Sequence, residues 1–207
     1  MVKMNWSKKF MDKFFVSFSP SKKKWYKTLY WYATDYRHTN IKIRLDRFLA
    51  NQLEKPTQRL YDLANDFKTR FRDKDKRIVA ILKWVNDNII YEEDRTNFDT
   101  PEYWASAIET LELGRDDCDG INALIYILAR LSGIPSIQLF SVIGDTSVGG
   151  HFWLIYFSTK TLKWHTIDGT YYPDFTPINR RKEFNINNTR YKKIWFIFND
   201  QYIYKTK

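Results

Sequence analysis

Cys118 is the only cysteine in the 207-residue chain, and it lies in Gly114-Arg115-Asp116-Asp117-Cys118-Asp119-Gly120, where a loop gives way to an apolar helical pattern. His151 follows in Gly149-Gly150-His151, and Asp168 in Thr166-Ile167-Asp168-Gly169. A helix start carries unpaired N–H groups and partial positive charge, so a thiol there ionises more readily, and an adjacent imidazolium helps further. Asp116 or Asp117 can cap the helix. Their charges oppose thiol ionisation, so the helix end and His151 have to outweigh them. The Cys118 backbone N–H is a natural oxyanion donor if the chemistry is acyl transfer.

The His and Asp fall at opposite ends of a hairpin pattern. Residues 151–157 and 162–168 flank the turn Ser158-Thr159-Lys160-Thr161. A hairpin centred between Thr159 and Lys160 places His151 directly opposite Asp168, and facing Cβ atoms in such pairs are roughly 4.5–5.5 Å apart. A one-residue slip would destroy that pairing. In this register His165 faces Leu154, on the other face from Asp168, and His38 has no carboxylate motif nearby. Cysteine at an apolar helix start is more often an inert buried residue. Its joint occurrence with a facing His–Asp pair turns the reading toward catalysis.

The elements that must position these groups follow from periodicity. Helical stripes run through Ile41, Leu45, Phe48, Leu49 and Leu53, then Leu60, Leu63, Ala64, Phe67 and Phe71, then Ile78, Ile81, Leu82, Val85 and Ile89. Pro101 and Glu102 open a short segment with Trp104, Ile108 and Leu111. The Cys118 helix carries Ile121, Leu124, Ile125, Leu128 and Leu131, and Gly133 with Pro135 stops it. Beyond Pro135 the period changes to strand: 137–143, 152–157, 162–167 and 191–198. Helices first and an antiparallel sheet second predict an α+β fold. Residues 1–55 read as a basic, aromatic-rich and mostly helical extension, with Ser19-Pro20-Ser21 as a linker after a short N-terminal helix. Residues 56–207 read as the catalytic domain.

Charge is unevenly spread within the total of +10. Residues 1–55 hold 13 Lys+Arg against 4 Asp+Glu, residues 101–175 hold 4 against 9, and residues 176–207 hold 8 against 2. The Cys, His and Asp therefore sit in an acidic stretch between basic ends. Those ends suit an anionic partner, nucleic acid or an acidic protein surface, or simply form a solvated basic surface. One cysteine makes no internal disulfide, and no run reaches the roughly 18 apolar residues of a membrane span. No secretory leader is legible, so a cytoplasmic location is the expectation. No metal or cofactor is called for: Asp116, Asp117 and Asp119 crowd together without calcium-loop spacing, and no zinc ligand set is present.

Pro101-Glu102-Tyr103-Trp104, Glu109-Thr110-Leu111, the Gly114–Gly120 run, Gly133-Ile134-Pro135, Gly150-His151-Phe152-Trp153 and Ile167-Asp168-Gly169 together resemble the transglutaminase-like superfamily. The resemblance spans roughly Arg77 to Pro173. It implies a papain-like fold with Cys118 as nucleophile, His151 as base and acid, and Asp168 orienting the imidazole. Trp104 would line the groove or help hold the oxyanion through its donor-only indole N–H, or pack as a core aromatic. Gly120-Ile121-Asn122 departs from the Ala-rich helix continuation of the family.

The implied chemistry is thiolate attack on a peptide or isopeptide amide of a protein or peptide substrate, with hydrolysis favoured over amine transfer because water is always available. The alternative is a scaffold or virion-associated, nucleic-acid-docking protein with little or no catalysis. The Lys-, Asn-, Ile- and Tyr-rich composition would suit a bacteriophage, and such an origin would suit a virion location.

Overall fold

The computed structural model describes residues 18–20, 30–34, 40–185 and 190–206. Strands β1 (Phe18–Pro20), β2 (Tyr30–Thr34) and β3 (Asn40–Arg44) precede helices α1 (Leu45–Glu54), α2 (Gln58–Arg70) and α3 (Lys74–Asn88). The short elements β4 (Ile90–Tyr91), α4 (Asp94–Asn97), α5 (Ala107–Leu113) and β5 (Arg115–Asp116) lead into α6 (Cys118–Leu131). A sheet follows, built from β6 (Leu139–Thr146), β7 (Gly149–Ser158), β8 (Lys163–Ile167), β9 (Tyr191–Phe198) and β10 (Ile203–Thr206). Its strand order is β1-β10-β9-β6-β7-β8, antiparallel throughout. The α+β expectation holds.

The helices form because their apolar residues recur at helical spacing and their ends are capped. Thr57 caps α2 through Leu60 N, Asp73 caps α3 through Asp75 N, and Ser106 with Glu109 closes a capping box on α5. Leu124, Ile125 and Leu128 of α6 are fully buried; each such side chain contributes about 1.5–3 kcal/mol by leaving water. Helix α6 is wrapped by α1, α2, α3 and α5 and rests on β7. Phe152, Leu154 and Tyr156 alternate into this helical core, while Trp153 and Ile155 enter a second apolar layer with Phe140, Val142, Trp164 and Tyr191.

Two expectations need correction. Among its described residues, the 1–55 extension is not mostly helical: β2 and β3 form a hairpin, so Ile41 belongs to a strand, and the helix starts at Leu45. Leu45 and Leu49 are fully buried in the same core as α6, and Gln52 Oε1 accepts the Ala107 N–H at 2.7 Å. The chain therefore packs continuously across position 55. Pro20 of the expected linker pairs with Tyr204 in the main sheet, and the expected N-terminal helix lies outside the described residues.

The hairpin register is also two residues from the expected one. Leu154 faces Ile167 and Tyr156 faces His165. Ser158 Oγ accepts the N–H groups of Lys160 and Thr161, and Leu162 takes a left-handed φ of 57°, so the loop runs 159–162 and Leu162 leaves the strand. A two-residue shift preserves which face each side chain uses.

Candidate active site

Cys118 is the first residue of α6, and the Asp117 side chain caps the helix by accepting from Asp119 N at 3.1 Å. Residue 118 is half-buried, and the Phe152 backbone N–H on the sheet favours its thiolate. Phe152 is the immediate chain neighbour of His151. Gly120 lets this first helical turn close on the loop before it, since a Cβ there would stand 2.0 Å from Asp116 Oδ2.

His151 and Asp168 meet although β8 ends at Ile167. The imidazole Nε2 lies 2.9 Å from Asp168 Oδ2, and both side chains are buried. Tyr191 Oη donates to the same oxygen at 3.0 Å, and Thr170 donates to Oδ1 from its N–H and its hydroxyl. Burial opposes ionisation of Asp168, but the hydrogen bonds led by His151 outweigh it and hold the carboxyl below the usual range. With Nε2 engaged, Nδ1 of His151 is buried without a hydrogen-bond partner. Tyr171 stacks on the imidazole at 4.2 Å between centroids and 18° between planes, and its hydroxyl meets that of Tyr91 at 3.3 Å.

Burial and the charges of Asp117 and Asp119 push the Cys118 thiol well up, against the help of the Phe152 N–H. Burial and the two carboxylates together therefore outweigh the Phe152 N–H and favour the neutral thiol. Trp104 is buried, with edge contacts to Phe48 and Phe152 and its indole N–H given to Glu102 Oε1 at 2.8 Å. That donor is committed, which favours the packing role over the oxyanion role. Trp153 is buried beside His151.

Sequence reasoning weighed Asp116, Asp117 and Asp119 as neighbours in the chain, but the fold adds Asp94 from α4. Carboxylate oxygens of Asp94, Asp116 and Asp117 lie within 4.8 Å of one another. Burial and then Asp117 push Asp94 up to about 7, and burial pushes Asp116 up to about 6. Asp94 Oδ1 is buried without a partner. Away from this cluster, Arg180, Arg181, Lys182 and Arg190 line a cavity of about 500 Å³ floored by Tyr172 and Tyr191. Among the described residues no helix is long and apolar enough to cross a membrane.

A family model described as the transglutaminase-like superfamily matches residues 61–169. Among solved structures, Legionella pneumophila LapG is similar at 16% identity, over 77% of this chain and 87% of that one, with a TM-score of 0.52. An EGTA-treated form gives 16%, 78%, 86% and 0.53. A calcium-bound form gives 18%, 77%, 85% and 0.51. These likenesses are likenesses of fold. No curated protein matches the sequence.

Proposed function

Since the chain belongs to the transglutaminase-like superfamily, we propose that it is an enzyme of the cysteine-peptidase type that hydrolyses a peptide or isopeptide amide through Cys118, His151 and Asp168. The observation that carries this reading is the arrangement of His151: Nε2 tied to a buried carboxylate and Nδ1 buried without a hydrogen-bond partner. The thiol proton passes to Nδ1 and the thiolate attacks the amide carbonyl. The C–N bond breaks as the imidazolium protonates the leaving amine, and a thioester remains. Water then adds to the thioester, His151 taking its proton and returning it to the departing sulfur. Asp168 holds the imidazole in the Nε2–H tautomer and supports its charged form. The α6 N-terminal N–H groups, that of Cys118 first, are the proposed oxyanion donors. Product analysis on a peptide library tests the assignment. New carboxyl termini should appear with the wild-type chain and be absent with Cys118→Ser, and products joined to an added amine would turn the reading toward transfer.

Calcium is a proposed ligand of this chain, by the similarity to a fold that has been solved calcium-bound. Asp94, Asp116 and Asp117 would hold it, and the fit rests on the buried, unpartnered Asp94 Oδ1 within an all-oxygen cluster. The ion would supply positive charge beside three crowded carboxylates. Thermal melts of the full chain check this. At calcium about 100 times Kd the Tm should exceed that in EGTA by about 5–10 °C, from roughly 2.7 kcal/mol of linkage, and Asp94→Asn should remove the increase. Equal melts with and without calcium would reject it.

The anionic partner expected from the charge pattern, nucleic acid or an acidic protein surface, is proposed to use the groove where Arg180, Arg181, Lys182 and Arg190 outnumber Asp174 and Glu183.

A further inference from the structure

Asn122 is fully buried one turn into α6, and it uses every hydrogen-bonding group of its side chain on a different catalytic segment. Its Nδ2 donates to the Cys118 carbonyl and to the Phe152 carbonyl, each at 2.9 Å. Its Oδ1 accepts the Gly169 N–H, again at 2.9 Å. An amide has two donor hydrogens and one carbonyl, and here they reach the carbonyl of Cys118, the carbonyl of the residue after His151 and the N–H of the residue after Asp168. Asparagine is a poor residue for a helix interior, so its helix propensity does not explain its place.

The surroundings are shaped to allow this bridge. A Cβ on Gly169 would stand 2.6 Å from Ile125 Cδ1, 2.9 Å from Ile121 Cγ2 and 3.4 Å from Asn122 Oδ1. Only glycine lets the strand end press onto α6 closely enough for its N–H to reach Asn122. The Phe152 carbonyl, one residue after His151, is held by Asn122. Sheet and helix otherwise meet at this point through apolar packing, which has no directional preference.

We propose that Asn122 is a positioning residue that fixes the relative placement of Cys118, His151 and Asp168. It touches no reacting atom. It sets the spacing between a helix tip and two strand ends, and a misplacement of about 1 Å in such an array costs about 100-fold in rate. The inference rests on the catalytic reading above, and its test separates the two.

The test compares wild type with Asn122→Leu, which keeps the side-chain shape and removes all three bonds, and with Asn122→Asp, which sets acceptors against two carbonyls. Leu128→Ala, a fully buried position on the same helix, supplies a core lesion away from the site. Iodoacetamide alkylation of Cys118 at neutral pH should fall about 100-fold in both Asn122 variants and less than threefold in Leu128→Ala, at temperatures where all are folded. The imidazole N–H proton of His151, identified by its loss in His151→Ala, should move or broaden in the NMR spectrum of the Asn122 variants alone. If Asn122→Leu fails to fold, Asn122→Asp carries the comparison. Wild-type alkylation rates with an unmoved His151 proton would overturn the proposal and leave the catalytic reading standing. Rates for wild type no faster than for His151→Ala would instead remove the catalytic reading.

Discussion

Replacing His151 by alanine should slow iodoacetamide alkylation of Cys118 at neutral pH by about 10²–10⁴-fold, the span of a lost general base. The expectation follows from the balance of charges around the thiol. Burial, Asp117 and Asp119 all disfavour the thiolate, and the Phe152 N–H is too little to offset them. In the proposed mechanism His151 supplies the missing stabilisation by taking the thiol proton at Nδ1. The comparison is clean because alkylation needs no substrate. The variant leaves Asp168 bonded to Thr170 and Tyr191, so the fold should persist, which circular dichroism checks. An unchanged alkylation rate would mean that imidazole and thiol do not communicate.

Asp168→Asn should lower amide turnover by about 10²–10⁴-fold with little change in substrate affinity. An amide there either donates to Nε2 or accepts from it, so the tautomer is no longer fixed and imidazolium loses its counter-charge. The same substitution has a signature in acid. The hydrogen bonds of Asp168 hold its folded-state pKa below the unfolded value. Its contribution to stability is therefore present above the ordinary carboxylate pKa of about 3.9 and is lost as pH falls below it. Wild-type stability should drop more steeply than that of Asp168→Asn between about pH 4 and pH 2. Parallel acid-unfolding curves would show that the Asp168 pKa is the same in the folded and unfolded chain.

Much of the site was legible in the chain because period survives small errors. The expected register was wrong by two residues, for nothing in Thr161-Leu162 announces that an exposed leucine takes a left-handed turn. The displacement preserved the face, and the chain bends after Ile167 to carry Asp168 to His151. Helix α6 was readable from its apolar stripe and its Gly133 stop, whose φ is 93°. Ile41 misled because β3 runs directly into α1, and the helical spacing continues across the junction. Tyr171, Tyr191 and Asp94 were not found, since their partners lie far along the chain and their segments have no period. Asn122 drew notice only as a departure from the family pattern. Its meaning required three backbone groups from separate elements to be seen together.

Mass spectrometry of the intact protein, trapped with acid during turnover of a cleaved peptide, tests the central claim most directly. The account predicts a mass increase equal to the acyl half of that peptide, mapped to Cys118 and labile to hydroxylamine as a thioester is. Turnover of that peptide by Cys118→Ser at the wild-type rate, with no acyl group ever found on residue 118, would contradict it.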